Sequence, residues 1–122
     1  MDNSIRELAN IIKSSKNTVV MTGAGMDTES NIPDFRSKDG WWRKIDPRKV
    51  ANADSMYRDY SLFQEFYSAR IKALKDIVPH EGHYVLAELE EKGYIKSIAT
   101  QNISGLHSKA GSKNVYALHG NI

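Results

Sequence analysis

Short apolar runs that alternate with stretches of helical periodicity constrain the fold of this chain more than any other feature. The runs at 18–22, 94–99 and 115–118 are rich in β-branched or aromatic residues, or alternate apolar with polar residues, as β-strands do. Helical patterns at 79–92 and 105–110 separate them. This order predicts a parallel sheet with right-handed crossovers, so we expect an α/β fold with three strands.

A further helix is predicted before the first strand. Ser4 and Glu7 have the spacing of a capping box, which favours a helix that begins near Ser4. Ile5, Leu8, Ile11 and Ile12 then recur at helical spacing. The pattern predicts an amphipathic helix with one apolar stripe.

The segment 38–78 is interpreted as a small helical insertion within a single domain that spans residues 1–122. Region 61–76 has helical spacing, with Ser61 and Gln64 as a second capping box. We expect the aromatic residues that concentrate here to form the core of the insertion rather than a ligand cage. They are Trp41, Trp42, Tyr57, Tyr60, Phe63, Phe66 and Tyr67.

The helix before the second strand is expected to begin at Pro79, because proline is favoured at the first helical position, and to end at Gly93. His80 and His83 lie in its first turn. They are not an i,i+4 histidine pair, so no metal site is predicted there. His83 and His107 are expected to be structural.

The composition argues against several classes of function. The 17 Lys and Arg residues exceed the 15 Asp and Glu residues by only two and form no basic run, so no nucleic-acid partner is expected. The polar N-terminus and the lack of a long apolar run predict neither a signal peptide nor a membrane partner, and favour a cytoplasmic location. The chain contains no cysteine, which excludes disulfides and thiolate-bound zinc within it.

Chemically useful residues follow each predicted strand. The turn 23–25 follows the first strand, Gln101 and Asn102 follow the second, and His119 follows the third. Parallel sheets bind ligands at the carboxyl ends of their strands. We therefore expect all these residues along one edge of the sheet.

The residue types at this edge suit a nucleotide. Backbone N–H groups of Gly23 and Gly25 can approach a pyrophosphate, although a tight turn that binds no ligand would show the same glycine pattern. Downstream, Arg36 can pair with phosphate, or it can form a surface salt bridge instead. Phe35 can exclude water from a reacting centre, or it can pack in the core instead. His119 suits proton transfer near neutral pH, with a structural strand-end histidine as the alternative.

Four motifs together resemble the sirtuin (Sir2) family of NAD-dependent protein deacylases. They are Gly-Ala-Gly at 23–25, Ile-Pro-Asp-Phe-Arg-Ser at 32–37, Thr-Gln-Asn-Ile-x-Gly-Leu-His at 100–107, and His-Gly at 119–120. The resemblance implies an incomplete Rossmann-like parallel sheet that forms a partial NAD-binding domain. It covers only the first half of a sirtuin, so the zinc module and the C-terminal half are expected to be absent.

The resemblance also implies roles for individual residues. His119 is expected to be the catalytic base that acts through the ribose hydroxyls, with Gln101 and Asn102 holding ribose and a water molecule. Phosphate binding is implied for Ala24, Gly25 and Arg36, after the turn at Gly23. A mobile loop over nicotinamide is implied for Ile32, Asp34 and Phe35. Further cofactor contacts are implied for Ile103 and Ser104.

Three positions depart from the family pattern. Asp27 replaces a serine, and a carboxylate ~4 Å from a phosphate would cost roughly 4 kcal/mol at an effective dielectric constant of 20. Asn31 replaces a glycine, which is mild because asparagine tolerates positive φ. Ser104 replaces an aspartate that binds the nicotinamide carboxamide, and its hydroxyl is a weaker and shorter-reaching acceptor.

These observations leave two functional hypotheses. The first is a sirtuin-like NAD-dependent protein deacylase that transfers ADP-ribose to acyl-lysine, with weak or no activity from this chain alone. The second is a non-catalytic interaction or structural remnant of a sirtuin. The expected partners are NAD, an acyl-lysine protein, and either a complementing C-terminal part or a second copy at the unprotected edge strand 18–21.

Overall fold

The computed structural model describes residues 2–122, which form two compact units. The first, here called the sheet unit, comprises the chain up to Gly23 together with Pro79–Asn121. The second, here called the helical unit, is Ala24–Val78, and Ile122 is grouped with it.

The sheet unit contains a three-stranded parallel sheet in the order β1-β2-β3, as predicted. Its strands are β1 (Val19–Thr22), β2 (Ser97–Thr100) and β3 (Val115–Ala117). Thr22 pairs with Thr100 and Thr100 pairs with Ala117, so the three carboxyl ends lie level in one row. The expected convergence of the strand ends on one edge is therefore confirmed.

Six α-helices and two short 3₁₀ helices complete the secondary structure of residues 2–122. The α-helices are α1 (Asn3–Ser14), α2 (Pro47–Val50), α3 (Ser55–Arg58), α4 (Tyr60–Ala73), α5 (Glu81–Glu91) and α6 (Leu106–Lys109). The 3₁₀ helices are Ala24–Ser30 and Trp41–Arg43, both in the helical unit. None of these helices is long and apolar enough to cross a membrane.

Both predicted serine caps are wrong, because an aspartate two residues earlier takes the role. The Asp2 carboxylate accepts the backbone N–H of Ser4 at 2.9 Å, and the Asp59 carboxylate accepts that of Leu62 at 3.1 Å. An ionised oxygen accepts more strongly than a hydroxyl and also interacts with the positive end of the helix dipole. Ser61 accordingly lies inside α4.

The predicted start of α5 at Pro79 is also wrong, because His80 caps this helix. His80 Nδ1 accepts the N–H of Gly82 at 2.9 Å, and His83 Nδ1 accepts the N–H of His80 at 3.1 Å. Two imidazoles thus satisfy backbone donors that the helix itself leaves unpaired. Pro79 lies before the cap.

The second strand begins at Ser97 rather than at the predicted residue 94. The N–H groups of Tyr94 and Ile95 both bond to the carbonyl of Leu89, at 2.9 and 3.4 Å, and so close the end of α5. The next N–H, that of Lys96, bonds to the carbonyl of Thr18 at 2.8 Å. The helix terminus therefore uses the donors that a longer strand would need.

The interior of the sheet unit mixes apolar and polar side chains. Its buried apolar residues are Ile95, Ile98 and Leu106. The buried polar residues of the same unit are Thr22, His83, Thr100, His107 and Ser112. Polar groups are stable in such an interior only when they are hydrogen-bonded, which makes their contacts informative.

One face of the sheet remains exposed. Met21 pairs with Ala99 and Ala99 with Tyr116, so these side chains share a face, on which Met21 is 64% and Tyr116 63% exposed. Strand β1 forms an edge of the sheet, as predicted. Helix α1 buries none of its residues fully: Ile5, Leu8 and Ile11 of its predicted apolar stripe are exposed, and Ile12 is half-buried.

Candidate functional site

In the sheet unit, the loop after β2 is tied to the end of β1. The N–H of Gln101 donates to the carbonyl of Thr22 at 3.0 Å. The Asn102 side-chain amide donates to the carbonyl of Gly23 at 2.8 Å. The structure therefore brings together three of the predicted site residues, Gly23, Gln101 and Asn102, with Gln101 exposed and Asn102 half-buried.

His119 lies in a turn directly beyond β3. The turn is closed by the N–H of Gly120, which donates to the carbonyl of Ala117 at 3.1 Å, and Gly120 has a φ of 75°. Since Ala117 is in register with Thr100, His119 follows the same carboxyl edge of the sheet. Its side chain is exposed and thus accessible to a ligand or to solvent.

Ile103 and Ser104 are half-buried in the loop that leads into α6. The Ser104 hydroxyl accepts the N–H of Leu106 at 3.4 Å, and Gly105 between them has a φ of 71°. The hydroxyl therefore helps to begin a helix.

In the helical unit, the predicted phosphate residues open the first 3₁₀ helix. Ala24 is half-buried and Gly25 is exposed. A Cβ built on Gly25 would meet no atom within 4 Å, so the backbone has open space in front of it. The Thr28 hydroxyl donates to the carbonyl of Gly25 at 2.9 Å, which holds the turn.

Asp27 and Asn31 depart from the family pattern with different consequences. Asp27 is only 4% exposed, so its carboxylate does not lie open to solvent. Asn31 has a φ of 65°, which confirms that asparagine adopts the positive φ expected where the family has glycine. Its N–H donates to the carbonyl of Thr28 at 3.0 Å, and the half-buried Ile32 follows.

Backbone hydrogen bonds fold the segment 34–42 into a closed loop. The carbonyl of Asp34 accepts the N–H of Trp41, and the carbonyl of Phe35 accepts the N–H of Trp42, each at 2.9 Å. Arg36 lies at the exposed side of this loop. Asp34 and Phe35 are thereby held in place within the helical unit.

Gly40 is required by this loop, and its only local signal is the turn dipeptide Asp39-Gly40. A Cβ at Gly40 would lie 2.6 Å from the carbonyl carbon and oxygen of Phe35 and 2.8 Å from Asp34 Oδ1. The Ser37 hydroxyl bonds to that same Asp34 oxygen, and the N–H of Gly40 donates to the carbonyl of Ser37 at 3.0 Å. Only glycine lets these backbones approach so closely.

The Phe35 ring belongs to an aromatic cluster with a cation over it. Phe35 stacks on Trp42 with ring centroids 4.9 Å apart, and Trp42 stacks on Phe66 at 5.9 Å. The Arg70 guanidinium carbon lies 5.2 Å from the Phe35 centroid and 5.7 Å from that of Tyr67. Burial lowers the pKa of Arg70, because the charged form loses water.

The prediction that all aromatics of the insertion form a core is wrong for two of them. Tyr57 is 80% and Tyr60 60% exposed. Tyr57 lies in the short helix α3, and Tyr60 is the first residue of α4. Sequence spacing does not distinguish these exposed tyrosines from Phe63, Phe66 and the tryptophans, because tertiary packing decides which aromatic side chains are buried.

The zinc that the resemblance implies has no ligand set in this chain. The sequence contains no cysteine. Across the described residues, 2–122, no group of three or more His, Asp or Glu side chains could hold a metal ion. The residues present do not fit zinc, and no step proposed below involves a metal.

Comparison with known proteins agrees with this arrangement. Residues 23–122 match the profile of the Sir2 family. An NAD-dependent protein deacetylase of Oceanobacillus iheyensis is 46% identical over 112 residues, which are 91% of this chain and 48% of that protein. An NAD-dependent protein deacylase of Pyrococcus furiosus is 47% identical over 116 residues, which are 95% of this chain and 46% of that protein.

The fold is shared with solved structures over the whole chain. A structure of Sir2 with a p53 peptide and NAD+ superimposes with a TM-score of 0.85 at 38% identity, covering 100% of this chain and 47% of that one. The chain thus spans about half the length of the relatives that it matches. Its Rossmann-like sheet and the match from residue 23 to residue 122 show that this chain belongs to the Sir2 family.

Proposed function

We propose that this chain binds NAD and forms the nucleotide-binding part of an NAD-dependent protein deacylase. The observation that carries the proposal is the position of Asn102, whose carboxamide is bonded to Gly23 at the carboxyl edge of the sheet. Relatives that share this segment are named NAD-dependent protein deacetylase or deacylase. Because the chain spans about half of their length, the activity of the whole enzyme is part of the proposal.

The donor set of the chain fits a dinucleotide. Gly25 offers open backbone and Arg36 an exposed guanidinium, both suited to phosphate. Gln101 and His119 are exposed at the sheet edge and suit ribose hydroxyls. The half-buried Phe35 offers an apolar surface to a nicotinamide ring.

The proposed chemistry assigns distinct tasks to these side chains. When bound, NAD would supply an ADP-ribosyl group that accepts the acyl oxygen of acyl-lysine as nicotinamide leaves. The His119 imidazole takes a proton from a ribose hydroxyl as general base. Asn102 orients the ribose and a water molecule. Phe35, in the helical unit, offers an apolar surface that excludes water from a nicotinamide ring.

Calorimetric titration of the 122-residue chain with NAD tests this proposal. We expect a dissociation constant in the millimolar range or below. Binding should be weaker than in a longer relative, because the partial site lacks that relative's remaining contacts. Asn102→Ala should weaken the affinity about tenfold, since a ligand would lose a fixed hydrogen-bond partner. Asn10→Ala, on the exposed side of α1, is the matched control and should change nothing.

Nicotinamide release from NAD, with and without an acetyl-lysine peptide, tests the activity. We expect weak or no turnover from this chain alone. Turnover comparable to that of a full-length relative would contradict the expected loss of activity. Abolition of that turnover by His119→Ala would still support the assigned base.

A non-catalytic role is the second candidate, and Ser104 favours it. The Ser104 hydroxyl is engaged with the N–H of Leu106, so it is a poor substitute for a carboxylate that binds a carboxamide. This candidate predicts no binding of NAD at millimolar concentration. A clear titration would exclude it.

We also propose that the isolated chain self-associates through the edge strand β1 and its exposed face. Val19 and Met21 are more than half exposed on this face. Sedimentation should show dimers whose fraction rises with concentration. Met21→Lys should disrupt these dimers, whereas Ile71→Lys, at an exposed position of α4, is the control and should not. A monomer at all concentrations would contradict self-association, and a complementing C-terminal part added in trans should compete with it.

A further inference from the structure

A row of hydrogen bonds runs through the interior of the sheet unit toward Asn102. His107 Nε2 and Thr22 Oγ1 lie 2.8 Å apart. The Thr22 hydroxyl donates to Thr100 Oγ1 at 2.8 Å, and the same Thr100 oxygen accepts the backbone N–H of Asn102 at 3.0 Å. The Asn102 side chain then donates to the carbonyl of Gly23.

The row is closed to solvent. Thr22, Thr100 and His107 are each less than 9% exposed. A buried hydroxyl costs free energy unless it is bonded, and valine of nearly the same shape would fill either strand position without needing a partner. Two threonines and an imidazole at these places therefore require an explanation other than packing.

The parallel register brings the members of the row together. Thr22 and Thr100 are paired residues of neighbouring strands, and both side chains point to the buried side of the sheet. His107 reaches them from α6. Because each member sits on a helix or a strand, the row is held by regular elements up to the point where the loop begins.

The far end of the row is anchored on α5. The His107 ring contacts the His83 ring with centroids 5.0 Å apart at an interplanar angle of 68°. His83 is fully buried, and its Nδ1 accepts the N–H of His80 at the helix cap. The contacts thus extend from the start of α5 to the loop after β2 that carries Asn102.

We propose that Thr22, Thr100 and His107 are positioning residues for Asn102. The Thr100 hydroxyl fixes the Asn102 backbone, and the bond to Gly23 then fixes the plane of the Asn102 carboxamide. Its Oδ1 is thereby presented in one orientation to a ribose hydroxyl or a water molecule. This proposal rests on the proposed function, because the orientation matters only if Asn102 acts on a bound nucleotide.

Two measurements on the full 122-residue chain test the proposal: hydrogen exchange of the Asn102 N–H by NMR, and calorimetric affinity for NAD. Thr100→Val removes the acceptor and should make this amide exchange about tenfold faster and weaken NAD binding about tenfold. The N–H of Ile98, which donates to the carbonyl of Asn114, should stay protected. Thr100→Ser keeps the hydroxyl and should restore both values.

Thr18→Val is the matched control. Thr18 lies just before the amino end of β1, away from the row, so this variant should leave both measurements unchanged. Equal effects of Thr18→Val and Thr100→Val would overturn the proposal. An unchanged Asn102 exchange rate in Thr100→Val, or faster exchange without loss of affinity in a chain that binds NAD, would also overturn it.

The outcomes separate this proposal from the proposed function. A wild-type chain that binds no NAD would count against the proposed function, while the exchange rates would still decide whether Thr100 holds Asn102. If Thr100→Val does not fold, the wild-type chain decides instead. An Asn102 amide that exchanges as fast as an unbonded loop amide would overturn the positioning role.

Discussion

Asn102 in the sheet unit is oriented by hydrogen bonds, whereas Phe35 in the helical unit is held by packing against rings and a cation. Asn102 bonds to Thr100 Oγ1 and to the carbonyl of Gly23, at 3.0 and 2.8 Å. Phe35 contacts Trp42 and Arg70 at centroid distances of 4.9 and 5.2 Å. Hydrogen bonds weaken steeply when misaligned, while ring contacts allow several geometries.

This difference matches the tasks proposed for the two residues. Proton transfer and ribose binding need a polar group at a defined angle, which bonded neighbours provide. Exclusion of water needs a surface of the right size in the right place, and packing provides that. We therefore expect the sheet unit to be sensitive to the loss of a single oxygen, and the helical unit to changes in volume.

The largest effect is expected for Gly40→Ala in the helical unit. The added Cβ would lie 2.6 Å from the backbone of Phe35, which cannot move aside as a flexible side chain can, so we expect a loss of about 3 kcal/mol in unfolding free energy. Urea denaturation followed by tryptophan fluorescence measures it. Gly25→Ala, where a Cβ meets nothing within 4 Å, is the control and should cost less than about 1 kcal/mol.

Equal destabilisation by the two alanines would show that the Gly40 contact does not close the loop. The helical unit would then lack the steric constraint that distinguishes it from the sheet unit. A large loss confined to Gly40→Ala would instead support a loop built before any ligand binds.

Thr22→Val should have the next largest effect, about 2 kcal/mol, because it leaves buried partners on Thr100 and His107 unsatisfied. Thr18→Val should cost less than about 0.5 kcal/mol. Urea denaturation again gives both values. A Thr22→Val chain as stable as the control would contradict the view that single oxygens matter in the sheet unit.

The hydrogen bonds that join His107, Thr22 and Thr100 can also be tested by spectroscopy. A hydroxyl has one hydrogen, so if that of Thr22 goes to Thr100, His107 Nε2 carries the hydrogen that it shares with Thr22. Nitrogen-15 NMR should therefore show a protonated Nε2 in the wild-type chain. An Nε2 without hydrogen would mean that the donors of the row run in the opposite direction.

Arg70→Met should have a smaller effect, about 1 kcal/mol, since it keeps the aliphatic stem and removes the cation from the faces of Phe35 and Tyr67. We expect a severalfold loss of NAD affinity as well, because Phe35 would be held less firmly. Denaturation and calorimetry measure the two effects. Lys72→Met, exposed on the same helix, is the control, and matching results for both variants would exclude a specific role of Arg70.

The smallest effect concerns an exposed ion pair of the helical unit. Hydrogen bonds from Arg48 lower the pKa of Asp46 to about 2 from 3.8. Since the folded pKa lies below the ordinary one, the charged carboxylate favours the folded state, and this contribution is lost as the pH falls from about 4 to about 2. An NMR titration should show the Asp46 pKa rising in Arg48→Ala, and an unchanged pKa would contradict the assigned cause.

Much of the sheet unit could be predicted because its signals are local. Alternation and β-branched runs mark the strands, and the carboxyl edge follows from parallel topology. These signals identify Gly23, Gln101, Asn102 and His119 as candidates, and their roles in cofactor binding and catalysis stay predictions. Local pattern failed at the helix caps, where the choice between Ser4 and Asp2 depends on which oxygen the folded backbone reaches.

Two contacts were beyond local pattern because they join residues far apart in sequence. The bond between Thr22 and Thr100 requires the register of two parallel strands, and each threonine alone reads as an ordinary strand residue. The contact between Arg70 and Phe35 requires a helix to return over a loop. No periodicity of 2.0 or 3.6 residues encodes such a pairing.

The family, the α/β class and the residues that follow each strand can be inferred from sequence, because motifs and periodicity involve neighbouring positions in the chain. Only the folded structure shows which groups hold Asn102 and Phe35. Hydrogen bonds through Thr22 and Thr100 hold Asn102, and contacts with Trp42 and Arg70 hold Phe35. The physical reason is that a buried polar group or a confined ring gains its energy from neighbours that only folding brings within contact distance.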